Sequence, residues 1–401
     1  MGASVSMARL GADCILITDD HLPHRGGSRI YVHKIASILA DSITLVTRYR
    51  PGAQQFDRAL PYVVERMRLR GGLLGGPAVL GEGLDAISLA AGALRLPTPR
   101  CYLAGEVMPT AFVAAAVAKA RGLAYGVILH DEPMLGAGRV EAAARRRVLG
   151  GASAIIAASS FPARRAKELV RDRVPVFVAP PGVDLDTFKP GKPREKTLGM
   201  FDVERGRYLL SVGRLVDYKN IEAIIASAAR VRDARFKVVV VGRGPHRPAL
   251  EALTRRLSMQ GRVVFTERID TPTLVDLYRG AFAYIFASRR VGGRQHEGIG
   301  MAALEAGACG CTVIASTETC ACDFIEEGKT GLLFDPARDG ALDGCLKRLV
   351  EIPEKQTTMA RNCSRRVRST YTWAAAAATV TAALEELCRP PGVLDAKSLQ
   401  S

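Results

Sequence analysis

Two doubly wound α/β domains, each a parallel sheet with helices on both faces, are what this 401-residue chain predicts. Three observations carry the expectation. A chain of this length is too long for one core, and two domains of about 180 residues each are the natural division. Short apolar runs of strand length alternate with helical stretches, which is the pattern of a parallel sheet. The alternation pauses at a Pro- and Gly-rich stretch, Pro180 to Arg194, and then restarts at Tyr208.

The first half opens with the apolar run Cys14 to Thr18, a polar turn from Asp19 through Gly26-Gly27-Ser28, and the helical pattern Ile30, Val32, Ile35, Ile38, Leu39. A strand, a Gly-rich turn and a helix is how such a domain opens its ligand-binding edge, and Gly26 and Gly27 would let backbone approach a ligand closely. Further strands are expected at Ile43–Thr47, Tyr62–Val64, Cys101–Ala104, Tyr125–His130, Ala154–Ala158 and Val174–Ala179. Helices are expected at Leu84–Leu94, Pro109–Arg121, Glu141–Leu149 and Pro162–Val170. Arg66 to Gly76 mixes Arg66, Arg68 and Arg70 with Leu69, Leu73 and Leu74, and reads as a basic, apolar loop that could rest on an anionic membrane. His130-Asp131 closes a strand, where ligand sites of such sheets lie.

In the second half Tyr208–Val212 runs into Gly213-Arg214-Leu215-Val216-Asp217-Tyr218-Lys219-Asn220 and a helix from Ile221. Arg214 and Lys219 flank a turn at a strand's carboxyl end, where a diphosphate would find charge and forked donors. Phe236–Val241 ends in Gly242-Arg243-Gly244-Pro245, which is no Walker loop because no Gly-Lys-Ser/Thr follows. Strands at Arg262–Thr266, Ala283–Ala287, Thr312–Ala315 and Gly331–Phe334 follow, with helices at Leu274–Arg279, from Ala341, and from Trp373 to about Leu387. The division expected is residues 1–190 and residues 191–370, followed by a helix at 371–390.

The chain is organised around Glu297 to Ala306. Glu297 and Glu305 have seven residues between them, starting with the turn Gly298-Ile299-Gly300 and continuing in good helix formers. The first N–H groups of a helix lack intrahelical partners and sit at the positive end of its dipole, so the turn could receive a phosphate. The run from Glu297 to Ser316 closely resembles the E-x(7)-E signature of the family-4 retaining glycosyltransferases, with Ile299, Gly307 and Thr312 replacing the family's usual residues. The resemblance extends to Gly26-Gly27, to Pro180–Pro190 at the domain junction, to Gly213–Lys219 and to Gly242–Pro245.

That resemblance implies the GT-B fold, two Rossmann-like domains facing across a cleft, with the nucleotide-sugar bound mainly by the second and the acceptor by the first, and with the helix at 371–390 crossing back to the first domain. It implies that Arg214 and Lys219 hold the donor diphosphate, that Glu297 and His130 contact the transferred sugar, and that Glu305 accepts hydrogen bonds from the ribose. Gly26, Gly27, Gly242, Gly244, Gly298, Ile299 and Gly300 complete the implied donor site. The reaction expected is metal-independent transfer of a hexosyl group, with retained configuration, from a nucleotide-sugar to a glycan or lipid-linked acceptor. No cofactor is expected. Asp184-Leu185-Asp186 spells D-x-D, a weak string in the context of a hinge. A phosphorylase or trehalose-type synthase shares the fold and signature, and phosphate-dependent release of a sugar phosphate would reveal it; a noncatalytic nucleotide-sugar-binding protein is the third reading, against which the joint presence of Glu297, Glu305, Arg214 and Lys219 argues.

Composition adds bounds. No run of about 20 uncharged apolar residues occurs, and the first ten residues do not read as a secretory signal, so the expectation is a cytoplasmic protein with peripheral contact at the inner membrane face. The net charge is +16, divided as +8 in residues 1–190 and +8 in the rest, without a basic tail or an aromatic-rich RNA-binding signature. An anionic membrane surface is therefore favoured over nucleic acid. Among nine cysteines, Cys309, Cys311, Cys320 and Cys322 form a C-x-C…C-x-C pattern that is read as buried thiols rather than a metal knuckle.

Overall fold

The computed structural model describes residues 13–19, 21–23, 26–68, 78–130, 139–231, 236–292 and 297–389. The chain divides into two compact units, one of residues up to Ala179 together with those from Ala376 onward, the other Pro180–Ala375.

The first unit holds seven strands: β1 (Cys14–Ile17), β2 (Ile43–Arg48), β3 (Val63–Met67), β4 (Cys101–Ala104), β5 (Ala124–Leu129), β6 (Ala154–Ala157) and β7 (Val176–Val178). They pair in parallel in the order β3-β2-β1-β4-β5-β6-β7. The four residues of β1 are all buried, as are those of β4 and β6. Helices cover both faces of such strands, which is why the sequence shows unbroken apolar runs there rather than alternation. Ile15, Ile17, Tyr102, Val127 and Ile155 join the helix residues Val113, Val117, Leu149 and Ala166 in one core.

The second unit has six: β8 (Tyr208–Val212), β9 (Lys237–Val241), β10 (Val263–Thr266), β11 (Ala283–Phe286), β12 (Val313–Ser316) and β13 (Leu332–Phe334). Their order is β10-β9-β8-β11-β12-β13, again all parallel. Leu209, Val238, Val240, Ile285, Ile314 and Leu332 form its core with Ile221, Ile225 and Leu346. In both sheets the strand order reverses between the first and fourth strands, β1/β4 and β8/β11. Successive crossovers leave these neighbours toward opposite sides of the sheet, so a crevice opens beyond their carboxyl ends.

The units change over at Ala179 and Pro180 rather than at 190, because the intervening segment packs within the second unit. Val183 bridges Thr372, Arg279 donates to the Lys189 carbonyl (3.0 Å), and the rings of Phe188 and Tyr278 stand 6.2 Å apart. The terminal helix Trp373–Leu387 passes to the first unit within its first turn, and a Cβ on Gly126 of β5 would lie 2.8 Å from Leu387.

Arg66 departs from the loop expected of it. It lies on β3 with its side chain 4% exposed, donating to Asp57 at 2.6 and 2.8 Å and to the carbonyls of Leu22 and Arg48. A guanidinium so engaged cannot serve a membrane surface, and Arg68 lies over the Tyr49 ring. Arg70, Leu69, Leu73 and Leu74 lie outside the described residues. Cys309, Cys311 and Cys320 are buried and Cys322 is exposed, all as free thiols. Among the described residues no helix is long and apolar enough to cross a membrane.

Gly182 allows a contact that no other residue could, since a Cβ there would fall on the backbone of Thr372 and Trp373. Gly182→Ala is expected to destabilise the protein by more than about 3 kcal/mol in denaturant unfolding, because backbone cannot yield as a side chain does. Gly199→Ala, where the added methyl meets nothing within 4 Å inside a short helix, is expected to be neutral or stabilising by up to about 1 kcal/mol. Equal effects of the two substitutions would refute the contact.

Candidate active site

The crevice beyond β8 and β11 gathers most of the residues singled out in the second half of the chain. Gly213-Arg214 follows β8 directly, Asp217–Lys219 makes one 3-10 turn, and Glu297-Gly298-Ile299-Gly300 precedes the helix Met301–Ala308. Lys219 Nζ and Glu297 Oε2 form an ion pair, with side chains 18% and 20% exposed. The ammonium also lies 5.8 Å from the ring centroids of both Tyr218 and Phe286. The lysine thus lies against aromatic faces as well as the carboxylate, mostly out of water. Arg214 lies on the same turn, donating to the Tyr218 hydroxyl at 3.0 Å.

The glycines of this region separate into two jobs. A Cβ on Gly242 would fall on the Gly213 carbonyl, and one on Gly244 on the Leu215 carbonyl. The absent side chains bring the turn after β9 against the turn after β8, where Gly213 N donates to Val241 O and Leu215 N to Arg243 O, both at 2.9 Å. Gly242 and Gly244 thus seat the Arg214–Lys219 loop, a role that accounts for both glycines without direct contact to a donor. Gly300 has φ +71°, and a Cβ there would meet the Phe286 ring at 2.5 Å. As a glycine at the N-cap it offers its helix no side-chain hydrogen bond. Ile299, expected at the sugar, is 3% exposed with its side chain buried, so main chain is what it offers. Gly298 is buried as well, and its carbonyl accepts from Cys320 N at 3.0 Å.

Glu305 stands one turn into the helix and accepts a hydrogen bond from the buried Tyr278 hydroxyl at 3.0 Å. Burial pushes its carboxyl up to about 7, against which the Tyr278 hydrogen bond pulls downward. Tyr278 in turn stands edge-on to Tyr284 at 5.9 Å. Sequence reasoning singled out neither Tyr278 nor Phe286. Their place in or just before a strand of this crevice was the available signal.

The first unit has a corresponding crevice. Beyond β1 and β4, Glu106 accepts from Thr18 Oγ1 at 2.6 Å and from Asp19 N at 3.2 Å, while Arg48 pairs with Asp19 and with Asp85. Glu106 went unremarked in the sequence although it follows β4 by only two positions. His130 closes β5, its ring edge-on to Tyr31 at 5.3 Å. Burial lowers its pKa to about 4, with a backbone hydrogen bond at Gly105 opposing the shift, so the imidazole is neutral at pH 7. Its Nε2 is buried and has no hydrogen-bond partner among the described residues. Gly26 caps the helix Gly27–Ile38 with extended backbone, and a Cβ on Gly27 would meet nothing within 4 Å, so Gly27 leaves open space. Asp131 and His296 lie outside the described residues.

Two sets of carboxylates bear on metals. Asp184 of the D-x-D string accepts from the backbone of Asp186 and Thr187, both at 3.3 Å, and from Thr187 Oγ1 at 3.2 Å, which makes it a turn-former. Asp217, Glu222 and His246 bring ligand atoms within 4.8 Å of one another, but His246 Nε2 already bonds Glu222 at 2.6 Å and Asp217 pairs with Arg289 at 2.7 Å.

Residues 201–366 match the family model described as Glycosyl transferases group 1. The chain is 28% identical over 347 residues to a GDP-mannose-dependent alpha-(1-6)-phosphatidylinositol monomannoside mannosyltransferase of Mycobacterium tuberculosis, covering 80% of this chain and 84% of that protein. It is 30% identical over 264 residues to a D-inositol 3-phosphate glycosyltransferase of Frankia alni, covering 62% of each. Among solved structures, HepE of Anabaena in complex with UDP superposes with a TM-score of 0.75 at 17% identity, over 93% of this chain and 99% of that one. The chain is thus similar to the group 1 glycosyltransferases across its second unit and to curated glycosyltransferases along most of its length, and its two parallel-sheet units have the GT-B fold.

Proposed function

We propose that this glycosyltransferase moves a hexosyl group from a nucleoside diphosphate sugar to a hydroxyl of a glycan or lipid-linked acceptor, retaining the anomeric configuration and using no metal. The observation that carries the reading is the Lys219–Glu297 pair, set beside a helix terminus whose N-cap is Gly300, at the carboxyl edge of β8 and β11. When the bond from the anomeric carbon to the diphosphate breaks, negative charge grows on the leaving group and the sugar ring becomes oxocarbenium-like. Arg214, Lys219 and the N–H groups after Gly300 face the leaving charge, fixed before the reaction starts. Lys219 turns from Glu297 to the diphosphate, and Glu297, so released, holds sugar hydroxyls. Glu305 accepts from the ribose. His130, neutral and with Nε2 unpartnered among the described residues, is assigned a hydrogen bond to the transferred sugar on the family resemblance. The acceptor hydroxyl enters on the leaving-group side and passes its proton to a donor phosphate oxygen, so no protein base is assigned.

The mycobacterial relative's name makes GDP-mannose the first donor to try and a phosphatidylinositol-linked glycan the first acceptor. An acceptor of that kind would bring the protein to an anionic membrane face from the cytoplasmic side, which agrees with its positive charge. Hydrolysis and transfer measured across a panel of nucleotide sugars test the donor, and NMR of the product's anomeric proton tests retention. An inverted product would overturn the mechanism.

The two glutamates are expected to fail differently. Glu305→Ala should weaken binding of donor and of free nucleotide alike, by about 1–3 kcal/mol. Glu297→Ala should lower kcat by roughly 10²–10³ as positioning is lost, while free nucleotide binds equally or more tightly because Lys219 is unpaired. Calorimetry beside turnover checks both, and the reverse pattern refutes the assignment.

Metal independence predicts that activity survives EDTA and that Lys219→Ala lowers activity far more than Asp186→Ala or Asp217→Asn. Loss of activity in EDTA with rescue by Mg²⁺ or Mn²⁺ would sink it and return attention to Asp217, Glu222 and His246.

The raised pKa of Glu305 gives a pH signature. The folded state holds its proton up to about 7, whereas the unfolded carboxyl releases it near 4.5. Stability from this group is therefore fully present below about pH 4.5 and is lost as pH rises through about 7. Melting curves without ligand should show Glu305→Gln losing less stability than wild type between pH 5 and 8. Parallel profiles would show that the carboxylate is ionised throughout.

A further inference from the structure

The net charge of +16 is far more than the donor site uses, and the second unit has a place where it collects. A cavity of about 800 Å³ is lined by Arg205, Arg279, Arg361, Arg365 and Arg368, and by no acidic side chain. Gly206, Phe282 and Thr312 on its wall each lie one or two residues before β8, β11 and β12. The cavity therefore belongs to the amino edge of the sheet, a strand length of about 15 Å from the carboxyl edge where the donor residues sit.

Three of the arginines stand on the helix Pro353–Thr370 at spacings of four and three, which puts Arg361, Arg365 and Arg368 on one face. Like charges so spaced repel one another, and none of the five comes within 4 Å of a carboxylate among the described residues. Arg279 and Arg368 each use one nitrogen on a carbonyl of the 185–189 segment, at 3.0 Å to Lys189 and at 3.4 and 3.5 Å to Leu185 and Phe188. A guanidinium carries five N–H donors in a fork that fits phosphate oxygens. Ser364, Thr357 and Gln356 add neutral polar groups to the same wall. A concave pocket with convergent forks and no counter-charge of its own is built for an anion rather than for solubility, which needs no concavity.

We propose that this pocket is a second anion site, distinct from the donor site, which takes a ligand bearing at least two phosphate charges. The ligand is either a dissolved phosphorylated compound or the phosphate headgroup of a lipid. Inorganic tripolyphosphate is the probe, titrated by calorimetry into the full chain, into Lys219→Ala to disable the donor site, and into R361Q/R365Q. Lys219→Ala should keep one binding event, and R361Q/R365Q on that background should weaken it roughly tenfold or more, as charged hydrogen bonds are lost. Melting in phosphate-free, low-salt buffer should show R361Q/R365Q no less stable than wild type, since glutamine keeps helix propensity and removes repulsion. Loss of all tripolyphosphate binding in Lys219→Ala, or a marked fall in melting temperature for R361Q/R365Q alone, would overturn the proposal. Flotation with phosphatidylcholine vesicles carrying phosphatidic acid separates the sources. Vesicle binding that R361Q/R365Q abolishes identifies a lipid phosphate, and tripolyphosphate binding without vesicle binding identifies a dissolved one. Arginine-dependent binding of duplex DNA with no response to tripolyphosphate would refute it in favour of nucleic acid.

Discussion

In a parallel sheet whose order runs outward both ways from its first strand, two neighbours must send their connections to opposite faces. That constraint governs this protein twice, at β1/β4 and at β8/β11. Backbone cannot cover the gap it leaves, so side chains from stretches far apart in sequence converge there: Arg214 and Lys219 after β8, Glu297 after β11, Phe286 at its end. Everything else in the second unit supports the approach of those loops. Gly242 and Gly244 remove the methyls that would hold the β8 and β9 turns apart, and Gly300 removes the one that would strike Phe286. Rigid strands with fixed register beneath, and loops seated on one another above, are what hold a charge constellation in place without a ligand.

Much of this was legible in the sequence, and the reasons are local. Every strand of both sheets has a counterpart in the apolar runs, and the signal is fullest for inner strands such as β1, β4, β6, β11 and β12, which are buried throughout and so must be apolar. Glu297 and Glu305 declared themselves through a turn-to-helix pattern continuous in the chain. What stayed hidden is what depends on distant partners. The pairing of Lys219 with Glu297 joins two loops in space only. Tyr278 becomes part of the site solely because its hydroxyl reaches Glu305. Arg66 read as a basic loop residue, since nothing in its neighbours announces that Asp57 and two carbonyls will enclose its guanidinium. The helix Pro353–Thr370 escaped notice for a related reason. Its buried stripe is only Met359, Cys363, Ser364 and Val367, and apart from Pro353 and Ala360 the remaining residues are polar or charged.

The two glutamates illustrate how position on one helix sets chemistry. Glu297 precedes the helix and meets a cation, whereas Glu305, one turn inside, meets a phenol and low-dielectric surroundings that raise its pKa to about 7. The first is a charge already compensated, the second a charge only partly formed. His130 in the first unit follows the second pattern with opposite sign, since burial keeps it neutral where a solvated histidine would begin to charge.

In the proposed donor site the Lys219–Glu297 pair would also act as a threshold. An anion entering the crevice must displace a carboxylate that is already in contact with the ammonium, and a singly charged, well-hydrated ion gains too little from one lysine to do so. In the proposed mode a diphosphate, engaging Arg214, the helix terminus and Lys219 together, would exceed it. The carboxylate set loose by that exchange is the one proposed to hold the sugar. Recognition of the donor's two halves would thereby be sequential, with the phosphate end unlocking the contact for the carbohydrate end. A bare nucleotide would set Glu297 loose with nothing to hold, so the gain from that contact would go only to a donor that still carries its sugar.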